Sequence, residues 1–216
     1  LRRAALGVIH AFESLATSGR LAELGAPDVH DLLTYAAAQF PDGKIAQNTV
    51  DEVHGFILDR VWNNLASEFS KDAVEAVISQ RPRLAEIRAR VQAVVAFRAL
   101  READSLAAAN KRIRNILRKS DASSAALDEG LLCETAEKTL YSSTLTIEPA
   151  IDASMSRRDY AAALKTLAGI RDAVDRFFDE VMVNAEDPKL RANRLALLRR
   201  LDTLMNRVAD ISKLAA

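Results

Sequence analysis

The side chains best suited to chemistry in this sequence are cations and amides, gathered on two short stretches. One holds Lys111, Arg112, Arg114, Asn115 and Arg118; the other, just after Pro188, holds Arg191, Asn193 and Arg194. All are donors that phosphate oxygens accept, and Arg and Asn also suit the edges of nucleic-acid bases. At about 100° per residue, Lys111, Arg114, Asn115 and Arg118 fall opposite the arc of Leu106, Ala109, Ile113, Ile116 and Leu117, with Arg112 and Lys119 flanking them. Arg194 breaks this pattern, because it falls within about 20° of Leu201, inside the apolar stripe of its helix. A guanidinium there is either an interhelical strut to a carboxylate, with Asp175, Asp179 and Glu186 on offer, or a contact to a ligand phosphate or base. Arg191 and Asn193, at the same helix start, are more exposed by pattern and suit a ligand better, and free backbone N–H groups at that end favour an anion.

Catalytic and metal chemistry is not legible. His30-Asp31 is a metal-ligating dipeptide in one phosphohydrolase family, but that chemistry needs further His and Asp ligands, and only His10 and His54 accompany it. The bland reading is a helix N-terminus. Cys133 has no matched His or Asp motif and reads as a small packed side chain. Asp175, Asp179 and Glu180 have helical spacing, yet Phe177, Phe178, Val181 and Met182 make that segment an ordinary helix with one solvated side. No P-loop, GxGxxG, HExxH or GxSxG string occurs.

Composition sets the frame for these residues. The 216 residues carry 30 Lys plus Arg and 30 Asp plus Glu, so a uniformly basic coat is excluded while a local basic patch is not. The charge is sorted: the net excess is +7 over residues 88–119 and +5 over 189–207, but −6 over 121–152 and −5 over 172–187. A polyanion that touches selected helices fits this pattern; so does charge complementarity between packed helices. A single cysteine excludes an internal disulfide and argues for a reducing compartment. No apolar run approaches the roughly 20 residues of a membrane span, and no signal peptide opens the chain. It starts at Leu1 rather than Met, and is expected to be a piece of something longer.

The elements that position these residues are all helical. Only 7 Gly and 5 Pro interrupt a chain that is 49% hydrophobic, apolar residues recur at helical spacing almost throughout, and no sustained strand-like alternation occurs. The expected helices run from Leu1 to about Ala16, from an Asp28 cap to Ala38, from a Thr49 cap with Glu52 at capping-box spacing, from a Ser70 cap to Arg81-Pro82, over Arg83–Leu100, and over Asp104–Lys119. Gly25-Ala26-Pro27 and Pro41-Asp42-Gly43 punctuate the first part, and the polar run Ser120–Ser124 reads as a linker. Beyond it, helices are expected over Leu127–Leu145, from Pro149, from Arg158-Asp159, over Ile170–Asn184, and from the Asp187-Pro188 start to about Val208.

Three strings are specific enough to suggest a family. AANKRIRNIL (residues 108–117), FFDEVMV (177–183) and RANRLALL (191–198), with VADIS at 208–212, resemble the bacterial glycyl-tRNA synthetase beta subunit, and the likeness runs over essentially the whole chain. The opening LRRAALG looks like the exit from that subunit's HD-type middle region, whose own HD motif would lie upstream, so His30-Asp31 does not match it. The resemblance implies an all-α multi-helix bundle, with residues 1–24 as an exit helix from an upstream body. Residues 25–120 would be a helical connector bearing the basic tRNA-facing helix, and 121–216 an anticodon-binding bundle of the arginyl-tRNA synthetase type. It implies tRNA(Gly) as a partner, an alpha subunit in an alpha2beta2 assembly that carries the class II site and uses ATP with magnesium, and a cytoplasmic location. No cofactor, metal or catalysis is implied in this stretch, nor any DNA or membrane partner. Tyr141 and Tyr160 are the stacking candidates of the second half, against a packing role for each. The alternatives are a helical scaffold or oligomerisation module without RNA specificity, and the terminal bundle of an arginyl-type synthetase.

Overall fold

In a computed structural model, which describes residues 2–20, 27–41, 43–120 and 126–215, the backbone is helical with no strand among the described residues. The chain divides into two compact units, Leu1–Val91 and Gln92–Ala216.

The first unit holds α1 (Arg2–Thr17), α2 (Val29–Ala37), α3 (Thr49–Leu65) and α4 (Lys71–Ile78), then a 3-10 turn at Leu84–Glu86. Ile9 and Phe12 on α1, Ile57, Val61 and Leu65 on α3, and Val74 and Val77 on α4 are all buried, as their 3.6-residue spacing requires. The α1 helix, expected as an exit from elsewhere, packs on α3 and on the 3-10 turn of this unit. Asp28 caps α2 as expected, accepting from the Val29 N–H. The cap of α3 is Asn48 rather than Thr49, and its amide donates to Glu52 Oε1 at 2.6 Å. Gly43 takes φ +74°, the left-handed conformation its turn needs. Gly25, Ala26 and Asp42, read as punctuation, lie outside the described residues.

The unit boundary falls inside α5 (Ile87–Arg98). After it come α6 (Ala103–Lys119), a 3-10 turn at Glu129–Leu131, α7 (Thr135–Ser156), α8 (Tyr160–Ala168), α9 (Arg171–Glu180), α10 (Pro188–Met205) and a final 3-10 turn at Ile211–Leu214. The α6 helix, assigned by sequence to a connector ending at residue 120, instead packs on α9, α10 and the final 3-10 turn. Its buried Leu106, Ala109 and Ile113 belong to the same unit as Leu197, Leu198, Leu201 and Leu204 of α10. The linker read at Ser120–Ser124 lies, beyond Ser120, outside the described residues. Where Pro149 suggested a new helix, α7 runs through it for 22 residues; proline is disfavoured in a helix interior but does not always break one. The Asp187-Pro188 start signal holds: Asp187 Oδ1 accepts from the Lys189 N–H at 2.7 Å.

Candidate nucleic-acid interface

The α6 and α10 helices form the walls of an open groove of about 880 Å³ in the second unit. Its lining includes Lys111, Arg112, Asn115 and Lys119 from α6 and Arg191 from the first turns of α10. Helix geometry explains the selection. Arg112, Asn115 and Lys119 fall within an arc of about 60°, on the side away from the buried Leu106–Ile113 stripe. Ala108 and Ala192 leave the floor low, so the cations stand around an open trough. Lys111, Arg112, Asn115, Lys119 and Arg191 are all exposed, and no carboxylate of the described residues lines the groove.

Of the eight residues expected to bind, four line this groove: Lys111, Arg112, Asn115 and Arg191. Arg118, also exposed, donates from Nη2 to Asn115 Oδ1 at 2.9 Å and so orients that amide. The Arg191 guanidinium donates to the Ala185 carbonyl at 3.3 Å, which ties it to the loop preceding its own helix. Lys111 Nζ reaches the Ala215 carbonyl at 3.5 Å.

The remaining three have partners within the fold. Arg114 points to the flank of α6, where its Nε meets Asp202 Oδ1 at 3.2 Å and its Nη1 meets the buried Asp210. Asn110, beside it and wholly buried, donates to the same Asp202 oxygen. These bonds fasten α6 to α10 and the final 3-10 turn. Asn193, expected to be open, is only 3% exposed. Its side chain accepts from the Asp128 N–H at 2.8 Å and donates to the Asp128 carbonyl at 2.9 Å. Arg194, 6% exposed, is the strut of the two readings, but to none of the three acids proposed. Its Nε donates to Glu137 Oε1 on α7 at 2.6 Å and its Nη1 to the Met182 carbonyl at 2.8 Å. The other Glu137 oxygen accepts the N–H groups of Cys133 and Glu134. A buried ion pair survives only when its remaining lone pairs are met in this way.

Neither tyrosine is an open platform. Tyr160 is 4% exposed, while Tyr141 donates to Glu129 Oε1 at 2.6 Å, a bond that pushes its phenol pKa up. The aromatic that does meet a candidate cation is Phe178, over whose ring Arg112 lies at 4.3 Å. Sequence spacing carries no trace of this contact, since the two residues are on different helices. Lys119, read only as flanking, is the other lining cation that was missed as a candidate.

Elsewhere, the sorted charge is used for packing. Arg200 and Arg207 on and after α10 pair with Glu148, and Arg207 also with Asp152, on α7. In the first unit His30 lies 3.5 Å from Asp51 and edge-on to His54, with ring centroids 5.2 Å apart. No group of three or more His, Cys, Asp or Glu side chains placed to hold a metal occurs among the described residues. No helix there is long and apolar enough to cross a membrane.

Residues 106–213 match the DALR anticodon binding domain, a span that contains the whole groove. Along the full chain, 47% of residues are identical to the glycine–tRNA ligase beta subunit of Ralstonia nicotianae and 46% to that of Delftia acidovorans. The corresponding subunit of Neisseria gonorrhoeae is 41% identical over 99% of the chain. The chain spans about 30% of the length of these relatives.

Proposed function

The chain belongs to the DALR anticodon binding domain family, and from that premise we propose that its α6–α10 groove holds the anticodon loop of tRNA(Gly). The observation that carries this reading is the convergence of Lys111, Arg112, Lys119 and Arg191 on one trough that no carboxylate of the described residues lines. In a protein with 30 acids against 30 bases, a local gathering of cations of this kind favours an anion. Phosphates would meet the lysines and Arg191, while the Asn115 amide and the Arg112 guanidinium are shaped for base edges.

The relatives' name extends the proposal to the assembly. As part of a glycine–tRNA ligase beta subunit, the chain would position tRNA(Gly) while an alpha subunit attaches glycine at the expense of ATP with magnesium. The assembly would be an alpha2beta2 heterotetramer in the cytoplasm. This region would add tRNA contacts and no cofactor, with no DNA or membrane partner.

The test is titration of the chain with a tRNA(Gly) transcript and with a copy altered in the anticodon, at two salt concentrations. We expect weaker binding of the altered RNA and a log–log salt slope of about −0.7 per phosphate contact. Equal affinity for both transcripts would refute anticodon reading, and absence of binding to either would favour the scaffold alternative.

A further inference from the structure

We infer that Arg112 is the specificity-determining residue of the groove: held over the Phe178 ring, its guanidinium presents its free face and N–H edge to one unstacked anticodon base. This rests on the groove being the anticodon-loop site. It goes further by separating the side chain that reads a base from those that hold phosphates.

Arg112 is unlike the other arginines around it. Arg114 and Arg194 are committed to carboxylates and Arg118 to Asn115, whereas Arg112 makes no ion pair among the described residues and instead lies 4.3 Å over the Phe178 ring. A ring attracts the cation without consuming its five N–H donors or cancelling its charge. The contact also restrains the position of the guanidinium, as a solvated surface arginine is not restrained. The ring is itself anchored: Phe178 is half-buried and meets Phe177 edge-on at 5.5 Å, and Phe177 is fully buried. A rigid line of contacts therefore runs from the core through Phe177 and Phe178 to the exposed head of Arg112.

Single-stranded RNA is read by unstacked bases that lie on aromatic or guanidinium planes and are hydrogen-bonded along their edges. Arg112 supplies the plane. Asn115, three residues along α6, supplies an edge group: its Oδ1 accepts from Arg118, and its NH2 is the donor end of the amide. Lys119 and Arg191, at the trough's other positions, lack an aromatic support among the described residues and act as point charges on the backbone.

The test uses the full chain and an anticodon stem-loop hairpin, with copies that each carry one abasic site in the anticodon. Arg112→Lys keeps the charge and removes the plane; Phe178→Leu keeps apolar volume and removes the ring. Both should cut the preference for the intact hairpin over one abasic copy by about tenfold, the scale of one stacked base, with an unchanged salt slope. Lys119→Ala combined with Arg191→Ala should weaken binding to every hairpin alike and flatten the slope. If R112K and F178L weaken all hairpins equally, or none, Arg112 does not read a base. If the K119A/R191A double variant binds with wild-type affinity and slope, the groove reading itself fails, and this inference with it. R112K touches no core residue, so an unaltered thermal midpoint in that variant keeps the comparison free of unfolding.

Discussion

Arginines separate by partner rather than by position in the sequence. Arg194 and Glu137 form a pair with 7% and 0% side-chain exposure, so removing one partner strands a charge in the interior. Glu137→Ala should destabilise the second unit by about 3–5 kcal/mol, while the double change Glu137→Leu, Arg194→Met should recover most of that loss. Urea denaturation of the two variants checks this; equal stability of both would contradict it. Because Arg194 is spent inside the fold, a folded Arg194→Met should leave the RNA salt slope unchanged, whereas Arg191→Ala should lower it by about one contact's worth. In the first unit, His54 is 5% exposed and neither ring nitrogen has a hydrogen-bond partner among the described residues. Burial first, then the neighbouring His30, holds its pKa below 6.5, against smaller opposing effects of Asp28 and Asp51; Arg81 lowers it further. A depressed histidine favours the folded state above its unfolded pKa and loses that contribution as pH falls below about 6.5. Amide protection factors in α2 and α3, taken relative to the intrinsic exchange rate at each pH, should therefore fall between about pH 7 and 5.5, and His54→Phe should abolish the change.

Elements were the most legible level, and the exceptions have physical causes. The Asp28 and Asp187 caps are local interactions, written within a few residues, and both stand where the pattern put them. Pro149 misled because a proline in sequence does not reveal whether tertiary packing will carry a helix across it. The apolar stripe of α6 was readable, but the elements it packs on were not. The side chains that bind it to α10 and the final turn, Asp202 and Asp210, lie about ninety residues downstream. For the same reason four of eight candidate donors were recognisable as groove residues, whereas Arg114, Asn193 and Arg194 could not be told from them by type. At this scale the start of α10 matters most, since it carries Arg191. Asp187→Ala removes the cap that accepts the Lys189 N–H and should cost about 1 kcal/mol. Tritium or deuterium exchange should show the loss confined to the first turn of α10, with a parallel weakening of RNA binding; unchanged exchange there would refute the role of the cap.

At the level of the whole molecule, zero net charge conceals a division of labour. Ion pairs among α6, α7, α10 and the last turn consume many of the sorted charges, which is the packing use of the pattern. What remains is a trough with cations and, among the described residues, no acid, which is where the proposal places the polyanion. The packing reading of the charge pattern accounts for these ion pairs; the polyanion reading is carried by the proposal for the trough. The family match over 106–213 coincides with the unit that builds the trough, and the fold accounts for its placement: α6 buries one stripe and turns the opposite one outward across from the start of α10. The most direct test is a photo-crosslinking amino acid placed at Lys119 in the groove, with a control at Ser156 on α7, in the chain bound to a tRNA(Gly) transcript. A crosslink from position 119 to anticodon nucleotides, with none from position 156, is the expected result; a crosslink from position 119 to the acceptor stem or elbow instead would contradict the central claim.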